Sequence, residues 1–253
     1  MSTEKFELSG KVALVTGATS GIGKAVALAL ARKGMRLALV ARRLDHLVSL
    51  KGEVEDLGQE AFPLAVDLRE EAQILVAFDA VRRQWGGVDV LVNSAGLGRV
   101  APLREGATEH FREMLEVNVL ALAVATREAV MDMETRKTPG QIVHISSMSA
   151  YRVQGHLGMY AATKHAVRAM TEGLRQELRA AGSDIRVTSI SPGDTDTEFM
   201  QRMLGSRKAA RDARPPYEQL TPEDVADAVI HVLETPPRVE VHDILMRPVG
   251  QPD

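Results

Sequence analysis

VALVTGATSGIG, residues 12–23, runs a short β-branched stretch straight into a glycine-spaced turn, and an amphipathic pattern over Gly21 to Lys33 follows it. A strand that passes through such a turn into a helix is the first half of a βαβ unit. Gly17 suits a tight turn, Gly21 lets backbone approach a pyrophosphate, and Gly23 permits close helix–strand packing. Thr19, Ser20 and Ile22 complete the turn as candidate phosphate contacts. The helix that begins here offers free N–H groups and a positive dipole end to an anion.

Outward from this unit, short apolar runs alternate with longer amphipathic ones. Strands are expected at Val12 to Val15, Leu37 to Val40, Leu64 to Val66, Val90 to Val92, Ile142 to Ile145 and Val187 to Ile190. The first helix stops at Gly34, and a second pattern, Leu44 to Leu57, stops likewise at Gly58. Such alternation predicts a doubly wound α/β fold: a parallel sheet, right-handed crossovers and helices on both faces. No linker or repeat interrupts it, so residues 1–253 are read as a single domain.

Bulk properties narrow the function. Hydrophobic residues make up 45% of the 253, enough for a sizeable core, and a net charge of −3 gives no reason to expect nucleic acid or an anionic membrane as partner. The absence of cysteine excludes disulfides, thiol nucleophiles and thiolate metal sites, and suits a reducing cytoplasm. The amino terminus, MSTEKFELSGK, has no apolar core of signal-peptide length, and no run approaches a membrane span. The histidines, His144, His165, His46, His110, His231 and His242 among them, are scattered without ligand spacing, so no metal site is expected.

Where a carboxylate would meet an adenosine ribose after the second strand, the chain has Ala41-Arg42-Arg43. Guanidinium forks match the oxygens of a 2′-phosphate, which points to NADP(H). Asp67, followed by Leu68, is placed either to cap the next helix or to contact adenine. Asn93-Ser-Ala95-Gly96 puts small residues at the edge of the fourth strand, where ligands of such sheets bind. Asn118 interrupts an apolar helical stretch after Thr108, and it either hydrogen-bonds locally or serves the site.

The stretch 146–164, SSMSAYRVQGHLGMYAATK, carries the chemistry. Tyr160 and Lys164, four apart at a helix start, share one face. A phenol ionises near pH ~10, but an ammonium within about 6 Å favours the phenolate. A shift of roughly two to three units needs about 3–4 kcal/mol, which a close lysine helped by a cationic cofactor ring is expected to supply. Ser147 stands at the end of an apolar run, where its hydroxyl can hold a carbonyl oxygen.

TGATSGIG, NSAG, Asn118, Ser147, YAATK and Ser191-Pro192-Gly193 occur in an order and spacing that resemble the short-chain dehydrogenase/reductase family over nearly the whole chain. The resemblance implies a Rossmann-like fold with a seven-stranded sheet, a nicotinamide cofactor and a Ser-Tyr-Lys site. Asn118 would support that site through a water-linked proton relay. NVLALAVATREAV, MTEGLRQELR and ILMRPV look closest to NADP(H)-dependent 3-hydroxy-acid (serine-type) dehydrogenases and some steroid ketoreductases. There are departures: NSAG replaces the commoner NNAG, and Thr195 stands where that family usually has valine or isoleucine.

By the same resemblance, Tyr160 is the general acid or base of a hydride transfer between NADP(H) and a secondary alcohol or ketone. Lys164 tunes the phenol and bonds the nicotinamide ribose, while Ser147 steadies the carbonyl oxygen. Backbone around Pro192, Gly193 and Thr195, with the Thr197 hydroxyl, would grip the carboxamide. Residues 194–220 correspond to a mobile substrate lid, with Phe199, Met200 and Met203 as substrate contacts. His156 either lines that pocket or fills a loop. The lid's basic residues, Arg202, Arg207, Lys208, Arg211 and Arg214, read as a solvated face, yet would also attract a carboxylate substrate. A homotetramer, or the homodimer within it, is implied. The rival readings are a catalytically silent NADP(H)-binding sensor or scaffold, and an epimerase, dehydratase or enoyl reductase of the same superfamily. Intact Ser147, Tyr160 and Lys164 argue against the first.

Overall fold

The β-branched runs pair edge to edge, all in parallel, because helical crossovers return each strand in the same direction. A computed structural model describes residues 5–252. Its sheet has seven strands: β1 (Val12–Thr16), β2 (Arg36–Ala41), β3 (Ala61–Ala65), β4 (Val90–Asn93), β5 (Gln141–Ile145), β6 (Arg186–Pro192) and β7 (Asp243–Met246). They lie in the order β3-β2-β1-β4-β5-β6-β7. The helices are α1 (Gly21–Arg32), α2 (Leu44–Glu55), α3 (Glu71–Trp85), α4 (Thr108–Leu115), α5 (Ala121–Arg136), α6 (Gly158–Ala180), α7 (Phe199–Leu204), α8 (Arg207–Asp212) and α9 (Pro222–Leu233).

The period of two along β1 divides the core. Ala13 and Val15 face Val26, Leu30, Val225 and Val229 of α1 and α9. Val12 and Leu14 face the other layer, where Phe78 of α3, Ala129 of α5 and Leu178 of α6 are buried. This is the doubly wound Rossmann-like domain expected. Strand order reverses between β1 and β4, which opens a crevice at their carboxyl ends. There the two turns interlock: Thr16 Oγ1 accepts from Ser94 N and Ala95 N at 3.1 Å each. Gly17 lies so close, at φ +68°, that an added Cβ would be 2.8 Å from Ala95 Cα.

Three local readings are corrected. The third strand covers 61–65 rather than 64–66; Pro63 disguises it, and is tolerated because β3 is an edge strand whose missing N–H faces no partner. The regular part of the helix expected to end at Leu57 ends at Glu55, and a tighter turn carries the chain to Gly58 at φ +79°. The long helix after Thr108 contains a π turn at Glu116–Leu120, centred on Asn118. Part of the amino-terminal reading rests on residues 1–4, outside the described residues. Among those described, no helix is long and apolar enough to cross a membrane.

After β6 the chain makes one excursion, carrying α7 and α8, before α9. Its base is closed by backbone bonds, Asp196 N to Leu220 O at 2.8 Å and Leu220 N to Asp194 O at 3.0 Å.

Glycines of equal sequence prominence thus differ in cost. A Cβ on Gly23 would stand 2.3 Å from the Gly17 carbonyl oxygen, whereas one on Gly52, inside α2, meets nothing within 4 Å. Gly23→Ala is expected to lower unfolding stability by about 1–3 kcal/mol, as overpacking does. Gly52→Ala should raise it by about 0.5–1 kcal/mol through helix propensity. Urea midpoints of the two variants test both signs.

Candidate active site

Tyr160 and Lys164 lie in the first two turns of α6, on its inward face, at 8% and 5% exposure. The Lys164 ammonium donates to the Ile145 carbonyl at 3.0 Å and stands 5.9 Å from the centroid of the Tyr160 ring. Ser147, two residues beyond β5, is extended at φ −167°, and its Oγ accepts from Ser149 N at 3.1 Å. The same hydroxyl favours the ionised form of the phenol. The structure therefore brings together the three side chains that sequence spacing singled out.

Their electrostatics differ from the expectation. Burial pushes the Tyr160 phenol up to about 12, and the Ser147 hydroxyl only partly offsets this. Burial likewise pulls the Lys164 ammonium down to about 8. Desolvating a phenolate costs more than this lysine returns, since the amine is directed to a backbone carbonyl and is itself poorly solvated.

Asn118 is bonded across elements rather than within its own helix. Its Oδ1 accepts from Leu97 N at 2.9 Å, and its Nδ2 donates to Leu97 O at 2.8 Å and Thr163 Oγ1 at 3.0 Å. The π turn aims the amide across, binding the loop after β4 to the residue before Lys164. Gly96 lies beside this junction; a Cβ there would be 3.6 Å from Asn118 Oδ1 and 3.7 Å from Lys164 Nζ.

A polar chain beneath the site escaped sequence reading. Asn93 Nδ2 donates to Thr126 Oγ1 at 3.0 Å, Thr126 Oγ1 lies 3.1 Å from His144 Nε2, and His144 Nδ1 lies 2.9 Å from Thr171 Oγ1. Thr171 donates its proton to Val167 O at 2.8 Å, so it must accept from Nδ1–H, leaving Nε2 to accept from Thr126. His144 is neutral, its pKa lowered to about 3 by burial and then by Lys164. The available signal was four polar residues at buried phases of apolar runs.

The glycine turn suits an anion. The first turn of α1 holds no acidic residue, and Ser20 at its N-cap makes no side-chain cap bond. Thr19 is half-buried in the same turn, and Ile22 packs on the core. Arg42 and Arg43 are exposed just past β2, and Arg42 helps hold the Asp67 carboxyl below its ordinary range, after Arg69. Asp67 does not cap α3: Arg69 engages both its carboxylate oxygens, and α3 starts only at Glu71. Leu68 packs against the α3 side of the core. Beyond Pro192, Gly193 N donates to Met246 O at 2.8 Å, Thr195 Oγ1 donates to Gly193 O at 3.0 Å, and the Thr197 methyl faces Gly21. Glycines without room for Cβ, an uncapped helix start and two free-standing guanidiniums fit a phosphate-bearing dinucleotide.

Above Tyr160, Phe199, Met200 and Met203 join Leu97, Leu157 and Met159 in one apolar cluster. His156 stays exposed in the preceding 3-10 turn, outside this cluster. Arg202 and Arg214 pair with Glu198 and Asp196, at 2.7 and 2.5 Å, while Arg207, Lys208 and Arg211 are exposed, as a solvated face requires. Among the described residues, no group of three His, Cys, Asp or Glu side chains gathers to hold a metal ion.

Fold and site together define an oxidoreductase on a Rossmann-like sheet. The profile of the short chain dehydrogenase family matches residues 11–207, and the chain belongs to the short-chain dehydrogenase/reductase family. It is 47% identical to Dehydrogenase/reductase SDR family member 11 of Bos taurus over 95% of this chain and 97% of that one. It is 40% identical to Farnesol dehydrogenase of Aedes aegypti, covering 96% and 98%. The closed form of a serine dehydrogenase complexed with NADP+ superposes with a TM-score of 0.88 at 32% identity, over 96% of each chain. A nicotinamide cofactor follows from membership.

Burying Lys164 makes stability depend on pH. Its folded pKa, about 8, lies below the 10.5 of the free side chain, so between those values the unfolded chain binds more protons and stability rises with pH. Above pH 10 Tyr160 reverses the trend, because the unfolded phenol releases its proton first. Lys164→Met should stabilise the fold near pH 7 by about 2 kcal/mol, roughly 3 regained from the buried charge less about 1 for the orphaned Ile145 carbonyl. That gain should shrink toward pH 10 in chemical unfolding of parent and variant.

Proposed function

We propose that the chain transfers a hydride between NADP(H) and a secondary alcohol or ketone, with Tyr160 as general acid in reduction and general base in oxidation. The observation that carries this is the convergence of Ser147, Tyr160 and Lys164, with Ser147 and Lys164 held by backbone bonds and Lys164 5.9 Å from the Tyr160 ring, at the carboxyl edge of the sheet beside the glycine turn. The cofactor supplies the hydride and, when oxidised, a cationic ring. The chain does the rest. A phenol held near 12 keeps its proton at neutral pH, ready for a carbonyl oxygen that gains charge. Ser147 donates to that same oxygen and stabilises the charge as it develops. For oxidation the phenol must lose its proton, which positive charge favours, and Lys164 provides it from the chain.

Gly17, Thr19, Ser20, Gly21, Ile22 and Gly23 would hold the pyrophosphate. Arg42 and Arg43 would take the 2′-phosphate, Asp67 and Leu68 the adenine. Asn93, Ala95, Gly96 and the segment Pro192, Gly193, Thr195 and Thr197 would border the nicotinamide side. Asn118, with its amide fixed to Leu97 and Thr163, keeps this loop and α6 in step and supports the proton relay to Lys164. Residues 194–220 act as the substrate lid, through Phe199, Met200 and Met203. The reading extends to a cytoplasmic homotetramer; the cysteine-free composition suits the compartment.

Tyr160→Phe is expected to cut turnover by at least about a hundredfold while NADPH binding stays close to the parent's. Ketone reduction followed by cofactor absorbance, beside fluorescence titration of NADPH, tests it; near-normal turnover would refute the role. Arg42→Ala combined with Arg43→Ala should lower the NADPH-over-NADH ratio of kcat/KM by at least about tenfold. An unchanged ratio would remove the arginines from cofactor choice.

A further inference from the structure

We infer that Phe199 is the residue that sets which carbonyl compounds reach Tyr160, and that the site takes uncharged, apolar ketones or secondary alcohols. The inference rests on the hydride-transfer reading above and specifies its substrate class. The Phe199 ring stands 5.5 Å from the Tyr160 ring, tilted by 53°, and so roofs the phenol. It is held there from three directions. Its backbone N–H donates to Thr197 Oγ1 at 3.2 Å, at the start of α7. Gly98 leaves no slack behind it: a Cβ there would stand 2.9 Å from Phe199 Cζ and 2.9 Å from Met203 Sδ. Arg99 fastens the far end of α7, donating to Glu113 Oε2 at 2.9 Å and to Arg202 O at 3.3 Å.

Much of the rest of the apolar wall is compliant. Met159, Met200 and Met203 are unbranched thioethers that re-pack around a guest, whereas a phenyl ring has two torsions and a fixed outline. Discrimination by shape therefore falls to Phe199. Discrimination by charge follows from where the lid's cations lie. Arg202, Arg214 and Arg99 are paired with Glu198, Asp196 and Glu113, and the α8 cations are exposed. A carboxylate entering under Phe199 would lose its water and find these charges already engaged.

The test compares parent, Phe199→Leu and Phe199→Ala on a small aliphatic ketone, a bulky fused-ring ketone, and a keto acid with its methyl ester. The bulky-over-small ratio of kcat/KM should rise at least about tenfold in Phe199→Ala, with Phe199→Leu between, as pocket size predicts. The ester should be preferred to the keto acid. A ratio within about twofold of the parent's in both variants, or a preference for the acid, would overturn the inference. Dissociation constants of the same ketones, by calorimetry on protein loaded with NADP+, which cannot reduce them, give the ratio independently of turnover. A parent that binds ketones but reduces none would sink the hydride-transfer reading, and Phe199 would then stand or fall on the binding ratio. Should Phe199→Ala not fold, Phe199→Leu carries the comparison.

Discussion

A single buried ammonium organises this molecule. Lys164 is held by the carbonyl of Ile145, at the end of the interior strand β5, and almost no water reaches it. Such a charge is tolerated only where rigid elements keep a partner in place, since burial without one is costly. Here β5 supplies the carbonyl, α6 the lysine, and the Asn118 amide locks Thr163 and Leu97 on either side. The sheet, the π turn and the loop after β4 must all be in register before the cation can be accommodated. Stability is surrendered at this point in exchange for reactivity.

The neutral histidine below the lysine is part of the same arrangement. A protonated ring at position 144 would place a second charge near Lys164; instead threonines on α5 and α6 fix one tautomer, with the proton on Nδ1. The chain from Asn93 to Val167 crosses β4, α5, β5 and α6, so it ties the two halves of the crevice together with no net charge. Phenol and amine are displaced in opposite directions by one cause, desolvation. Both are biased toward neutrality.

Much of this was legible in the sequence, and what was not shares one origin. The glycine turn, the four-residue Tyr160–Lys164 spacing and the buried strands announce themselves through local pattern, because φ > 0, helical pitch and apolar runs are local properties. Pro63 hid part of an edge strand, since its acceptability depends on which neighbour is absent. Asp67 looked like a helix cap until Arg69, two residues on, claimed its carboxylate. The upward shift of Tyr160 in the protein alone was not legible, because the distance to an amine can be guessed from spacing, while burial and the amine's own carbonyl partner cannot. The role of His144 was invisible for the same reason: its side-chain partners lie on two other elements.

The two backbone bonds that close the base of residues 194–220 have an evolutionary reading. They pin both ends of the excursion to a constant separation, so its interior can change in length or composition while the sheet feels no new constraint. Such a segment behaves as an exchangeable cassette. A scaffold pinned in this way can have the stretch between the two bonds rewritten without a new load on its sheet.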